Sequence, residues 1–294
     1  MHCYHGFGLS VYSDVALPLP DVSERSQESG SVQISRILRS SDFWSEDRGI
    51  SSVWFRVPSV GMFRAENGRS IFYDALHHKI SLEALGMALL GPCMVAIMRQ
   101  RGILTLHGSS VVIDGEAVCF LGPSRSGKSS LAASFLYSGY IPLTDDIVAL
   151  ERTRPWRVLR GYPRIFLRKD VARYFSGQAG LLAESPIKCS PKLRFQDVPS
   201  AKLASAFPLS DVYMLRFGDR IHIDRCDERE AFELLARYLR GNFVLPGSNL
   251  NRSSIRALVS LAKETNIYKL TRPRSIHAWR QVVSEVVLHR RSTL

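Results

Sequence analysis

The first third of the chain is patterned in short runs. Phe7–Tyr12, Val32–Ile37 and Val53–Val57 set apolar side chains at alternate positions or in brief stretches, bounded by polar or Pro-containing links, which predicts strands. Asn67-Gly68 lies between Gly61-Met62-Phe63-Arg64 and Ser70-Ile71-Phe72-Tyr73, and that dipeptide suits the positive φ of a hairpin turn. Asp21–Ser31, rich in Ser, Glu and Gly with few apolar residues, reads as an exposed loop. From Ser81 to Arg101 the pattern becomes helical, with a kink expected at Pro92 and a stop at Gly102. Residues 1–100 therefore read as a small β-rich domain that ends in a helix, and residues 101–294 as a second domain.

In that second part, strand and helix patterns alternate, which predicts a central sheet with covering helices. Asp114-Gly115 separates Ser109–Ile113 from Glu116–Leu121, a strong signal for a two-residue hairpin. If Ile113 faces Glu116, counting back along the paired strands sets His107 opposite Gly122. Leu131, Ala132, Phe135 and Leu136 then recur at helical spacing before Gly139. Tyr140–Asp146 reads as a short strand ending in two carboxylates, with Pro142 suited to an edge. Near the C-terminus, Trp279, Val282, Val283, Val286 and Val287 form an apolar helical stripe, expected to pack on the body or on another subunit.

Apolar content of 45% and charged content of 22% are ordinary for a globular chain. Five cysteines are scattered, without a C-x-x-C pair or a Cys/His cluster of zinc spacing, so reduced, mostly buried thiols are expected. The N-terminal residues lack the basic and apolar regions of a signal peptide, and a cytoplasmic location is expected. Leu82–Met98 is the longest apolar stretch but contains Glu83, Gly86, Gly91 and Pro92; it falls short of the roughly 20 residues of a typical membrane span, so no membrane partner is expected. The net charge of +12 favours an anionic partner. A basic and aromatic stretch from Arg152 to Arg173 includes Arg154, Arg157, Arg160, Arg164, Arg168, Lys169, Trp156, Tyr162 and Phe166. It reads as a docking surface for an acidic peptide, an extra phosphate clamp or a solvated basic face. No RNA- or DNA-binding signature accompanies it, and nucleic acid is not the expected partner.

One motif narrows the choice among anions. Gly122-Pro123-Ser124-Arg125-Ser126-Gly127-Lys128-Ser129 matches G-x-x-x-x-G-K-[ST] at every fixed position, a match that chance supplies in roughly one chain of this length in a hundred. It follows an apolar run, Ala117–Leu121, and precedes a helical pattern. Backbone N–H groups and a helix N-terminus, Ser130 included, are then aimed at one volume that favours phosphate. Lys128 is expected on the β and γ phosphates of ATP and the Ser129 hydroxyl on Mg²⁺. Asp145 and Asp146 can divide metal support and general-base work, provided the backbone turns so that both face the same way. His107 is placed to hydrogen-bond the γ-phosphate or to adjust the protonation of a neighbouring carboxylate. Lys192 and Arg194, in a polar stretch after Pro191, are further candidates for closing over the nucleotide or substrate.

Leu106-His107-Gly108-Ser109, the loop Gly122–Ser129 and Thr144-Asp145-Asp146-Ile147-Val148-Ala149-Leu150, taken together, resemble the catalytic domain of HPr kinase/phosphorylase. The likeness covers residues 100–245, with Val212–Leu215 and Ala231–Leu239 resembling a later strand and helix. The first hundred residues look closer to short HPr-kinase-like proteins, including lasso-peptide kinases. The resemblance implies an α/β fold, a P-loop catalytic domain of the HPr kinase/phosphoenolpyruvate carboxykinase type preceded by the small β-rich domain. It further implies ATP and Mg²⁺ as cofactors, Asp146 as the base toward an acceptor serine, Asp145 as metal support, Lys128 and Ser129 in the phosphate and metal roles, and His107 in the active site. A peptide or small protein, either HPr or a ribosomal peptide precursor, is the implied acceptor, and family members often assemble as homo-oligomers. The chain departs from the family in three places: Arg125 stands where the loop usually has Gly, no metal-binding Glu precedes Arg160-Gly161, and the C-terminal arginine motif linked to phosphorolysis is not evident.

Overall fold

The computed structural model describes residues 1–17, 19, 30–37, 51–75, 80–162, 164–176, 182–183, 192–195, 204–240 and 252–293. Most of the expected loop Asp21–Ser31 therefore lies outside the described residues, as do Cys189 and the side chains of Lys169, Lys192 and Arg194. The chain separates into two compact units, Met1–Thr105 with Arg240–Ser253, and Leu106–Leu239 with Ser254–Leu294.

The first unit holds a six-stranded sheet of β1 (His2–Gly6), β2 (Leu9–Ser13), β3 (Ser31–Arg36), β4 (Ser52–Val57), β5 (Gly61–Glu66) and β6 (Ser70–Ala75). Their spatial order is β1-β2-β3-β6-β5-β4. Alternate residues fill its core: Val32, Ile34, Phe63, Ala65 and Ile71 are fully buried, as a strand buried on one face requires. Asn67 and Gly68 take positive φ between β5 and β6, as expected of that hairpin. The run Phe7–Tyr12 is not one strand. Phe7 and Gly8 have φ of 58° and 69° and turn the chain from β1 into β2; the flanking glycine permits that turn and the alternation resumes only at Leu9.

The expected helix is α1 (Leu82–Ala88) and α2 (Met94–Gln100) joined by a π-helical turn, Leu89–Cys93. Pro92 lies inside that turn. Its missing N–H and its ring exclude the standard bond to Ala88, and the wider turn absorbs the defect. Leu89, Cys93, Met94 and Ile97 are fully buried, so this apolar segment is core. Among the described residues no helix is long and apolar enough to cross a membrane.

The chain continues through β7 (Leu104–Leu106), β8 (Gly108–Ile113), β9 (Glu116–Leu121), α3 (Lys128–Tyr137), β10 (Ile141–Asp145), β11 (Val148–Glu151), β12 (Arg157–Leu159), β13 (Phe166–Arg168) and α4 (Lys169–Ser176). It then forms β14 (Leu182–Ala183), β15 (Lys192–Phe195), β16 (Ala206–Phe217), β17 (His222–Arg225), α5 (Glu228–Arg237), α6 (Arg252–Glu264), β18 (Asn266–Arg272) and α7 (Trp279–Ser292). The larger sheet of the second unit runs β10-β8-β9-β16-β12-β11, with β18 beside β16 and β17 beside β18. The long strand β16 is its spine. Its start pairs antiparallel with β12, and its remainder pairs parallel with β9 on one side and β18 on the other. The carboxyl ends of β9, β16 and β18 therefore lie side by side, the place where open α/β sheets bind ligands. Pro142 lies in β10, an edge strand, where its missing N–H costs least.

Helices α3 and α7 cover one face of this sheet. Leu131, Ala132, Phe135, Val282 and Val286 pack with Val118, Phe120, Tyr213 and Leu270, all fully buried. The apolar stripe of α7 thus packs on the body of its own unit. At the far end of α7, Arg290 is 2% exposed and donates to Asp211 Oδ2 at 3.1 Å and to Glu116 Oε2 at 2.5 Å. Removing one partner leaves a buried guanidinium short of its counter-charge, so Asp211→Ala is expected to cost about 3–5 kcal/mol in urea unfolding. A loss below about 1 kcal/mol would show that the pair does not secure α7.

Candidate active site

The site is assembled where β9 ends. Ile113 faces Glu116 and Gly108 faces Leu121 across the β8–β9 hairpin, the register expected from the Asp114-Gly115 turn. His107, one residue further back, is delivered beside the loop that begins at Gly122, and its own N–H is held by the Tyr238 carbonyl at 2.7 Å. After the loop, α3 starts at Lys128, and its first N–H groups have no intrahelical acceptors.

A cavity of about 460 Å³ is lined by His107, Ser124, Arg125, Gly127, Lys128, Ser129, Ser130, Asp145 and Asp146. Gly122, Pro123 and Ser126 lie outside its lining and support it. Lys128 is 6% exposed, and its Nζ donates to the Gly122 carbonyl at 2.8 Å and to the Pro123 carbonyl at 3.0 Å. Ser126 Oγ is buried and finds no hydrogen-bond partner among the described residues. A Cβ on Gly122 would stand 2.7 Å from that oxygen, so the close turn of the loop needs glycine there.

Gly127 takes φ of 88°, and so Arg125, at φ of 65°, is not the loop's only left-handed residue. An arginine in that region carries a strain of about 1 kcal/mol. Arg125→Gly is therefore expected to raise the urea midpoint by the equivalent of up to about 1 kcal/mol; a lowered midpoint would mean that the side chain's contacts outweigh the strain.

The two aspartates both face the cavity because the backbone turns between them. Asp145 ends β10 in extended conformation, whereas Asp146 has φ of 76°. Thr144 Oγ1 donates to the Ile147 carbonyl at 2.5 Å and closes the turn. Asp145 Oδ1 accepts from Ser129 Oγ at 2.9 Å, and its Oδ2 accepts from the Phe166 N–H at 3.0 Å, which fixes the carboxylate plane. Asp146 Oδ1 lies 3.2 Å from His107 Nδ1, with side-chain exposures of 45% and 29%. The carboxylate is accessible, and the imidazole is beside it.

The donor set suits a magnesium nucleotide. A cation beneath a glycine-bounded loop and open helix N–H groups fit a polyphosphate. Ser129 and Asp145 offer two hard oxygens. Among the described residues no cluster of three or more His, Cys, Asp or Glu could hold a metal by itself, and the cavity lining contains no glutamate. Mg²⁺ needs no more, because one or two protein oxygens with phosphates and waters complete its octahedron.

Sequence reasoning missed part of the lining. Phe217, Arg272, Arg274 and Trp279 line the same cavity, although the C-terminal segment had been expected only to pack. Arg272 is 1% exposed, and its Nη2 donates to the Ser126 carbonyl. Its guanidinium lies 4.3 Å from the Trp279 ring and 5.1 Å from that of Phe217, and Arg274 lies 4.5 Å from Phe217. Burial pushes the Arg272 guanidinium down to about 10, still charged at neutral pH. The usable signal was position: Phe217 and Arg272 end strands parallel to β9.

The basic stretch does not form one face. Arg168 lines the cavity, Trp156 is buried, and Arg152 and Arg154 are exposed in the connection between β11 and β12. Among the described residues the lining cations are Lys128, Arg125, Arg168, Arg272 and Arg274, against Asp145, Asp146 and Asp170, a balance that favours an anion.

No family model matches the chain, and no curated protein matches it. Among solved structures it is similar to the Hpr(Ser) kinase/phosphatase from Coxiella burnetii, with 13% identity and a TM-score of 0.35 over 64% of this chain and 97% of that one.

Proposed function

We propose that the chain is an ATP-dependent kinase of the HPr serine kinase type, which transfers the γ-phosphate to a serine hydroxyl on a peptide or small protein. The observation that carries this reading is the meeting of two pairs on one cavity wall. Ser129 and Asp145, 2.9 Å apart, form the metal-and-phosphate pair, and His107 and Asp146, 3.2 Å apart, form the acid–base pair.

In this reading the N–H groups at the start of α3, with Lys128, hold the β and γ phosphates, while Ser129 and Asp145 hold Mg²⁺. The metal supplies charge neutralisation across those phosphates. Asp146 takes the proton of the acceptor hydroxyl as its oxygen bonds to the γ-phosphorus; the bond from that phosphorus to the bridging oxygen breaks, and ADP leaves. His107 steadies the Asp146 carboxylate or donates to the transferred group. A cationic cavity suits an acceptor whose serine is flanked by acidic residues.

The test offers Mg-ATP with HPr, serine-containing acidic peptides and their neutral counterparts, and follows phosphoserine by mass spectrometry. The expected product is phosphoserine, faster on the acidic peptides. Nucleotide binding without transfer to any acceptor would favour a nucleotide-responsive binding module, to which Arg125 and the absent glutamate also lend themselves.

A further inference from the structure

Arg272 is a buried guanidinium to which no carboxylate is paired among the described residues. Its polar partners among the described residues are two carbonyls, Ser126 O within the phosphate loop and Pro273 O at 3.0 Å, and its Nε has none among them. The ring of Trp279, the first residue of α7, lies against the guanidinium. Burying a charge without a counter-charge costs stability that two carbonyls and an aromatic face offset only in part.

The loop itself is shaped around this pair. A Cβ on Gly127 would stand 2.4 Å from Arg272 Nη2 and 2.8 Å from the Trp279 ring. Arg272 and Trp279 therefore press on the peptide that joins Ser126 to Gly127. A trans peptide is planar, with its carbonyl and N–H pointing oppositely. Anchoring the Ser126 carbonyl on Arg272 turns the Gly127 N–H away from Arg272, and one rotation of that peptide would withdraw the donor.

We propose that Arg272 is a positioning residue for the phosphate site: by holding the Ser126 carbonyl against the start of α7, it orients the Gly127 N–H toward the bound phosphates and presets the loop for the nucleotide. The inference rests on the reading of this loop as a nucleotide site and adds the group that keeps it in its binding shape. It also assigns a role to the C-terminal segment, whose helix supplies the aromatic face that Arg272 lies on. A planar fork suits this role, since a guanidinium donates in its plane to both carbonyls while its face lies on the Trp279 ring.

The experiment measures Mg-ADP and tripolyphosphate binding by calorimetry on the full chain, beside urea unfolding without ligand, for the natural protein, Arg272→Gln and Arg272→Lys. The natural protein is expected to bind both ligands. Arg272→Gln is expected to lose about 10- to 100-fold in affinity for each while its unliganded stability is unchanged or higher, because an unpaired buried charge has been removed. Arg272→Lys is expected to fall between them. A merely structural arginine would give the reverse, a less stable fold whose folded fraction binds with natural affinity, and that outcome overturns the inference. Should Arg272→Gln fail to fold, Arg272→Lys decides, and natural affinity in that variant overturns the inference. Absence of binding by the natural protein would instead defeat the nucleotide-site reading on which the inference stands.

Discussion

Lys128→Ala is expected to lower kcat/KM for phosphotransfer by about a thousandfold, or about 4 kcal/mol of transition-state stabilisation. The magnitude follows from where the ammonium sits. It is 6% exposed and is held between the Gly122 and Pro123 carbonyls, so a phosphate that meets it does so in a largely desolvated place, where a cation acts more strongly than in water. As negative charge shifts during transfer, no water replaces the lost contact at equal strength. Steady-state assays with Mg-ATP and an accepted peptide read the effect, and calorimetry should show weaker nucleotide binding in parallel. A variant within about tenfold of the natural rate would mean that Lys128 braces the loop and does not engage phosphate.

Asp146→Asn is expected to reduce kcat by about 10²- to 10⁴-fold and to leave Mg-ADP affinity within about twofold. Asparagine is the informative substitution here. Asp146 sits at φ of 76°, a region that asparagine tolerates better than most residues, so the turn survives while the proton acceptor is lost. Alanine would combine chemistry with backbone strain. The Asp146 carboxylate lies beside His107, whereas Ser129 pairs with Asp145, which is why binding should be spared. Equal losses in rate and in nucleotide affinity would reassign Asp146 to binding.

Much of this wall of the cavity was legible in the sequence because its parts are close in the chain. A two-residue turn sets a hairpin's register, so counting from Asp114-Gly115 carries His107 to Gly122 without tertiary information. Strand, loop and helix around Lys128 follow from one short pattern. The joint orientation of Asp145 and Asp146 was not legible, since it depends on a positive φ at a non-glycine residue, which pattern cannot reveal. Arg272 was hidden for another reason. Its bond to Ser126 joins residues far apart in sequence, and only the parallel pairing of β18 with β16 and of β16 with β9 brings them together. In the first unit, Phe7 escaped detection as a turn residue because its side chain continues the alternation that its backbone interrupts.

A structure of the chain with Mg²⁺ and a non-hydrolysable ATP analogue decides whether this loop is a nucleotide site. The β and γ phosphates are expected in the cradle between Gly122 and Ser130, with Lys128 Nζ about 3 Å from a γ-phosphate oxygen and the metal on Ser129 Oγ with Asp145 beside it. Nucleotide bound elsewhere, or seated with its phosphates turned away from Lys128 and Asp146, would contradict it.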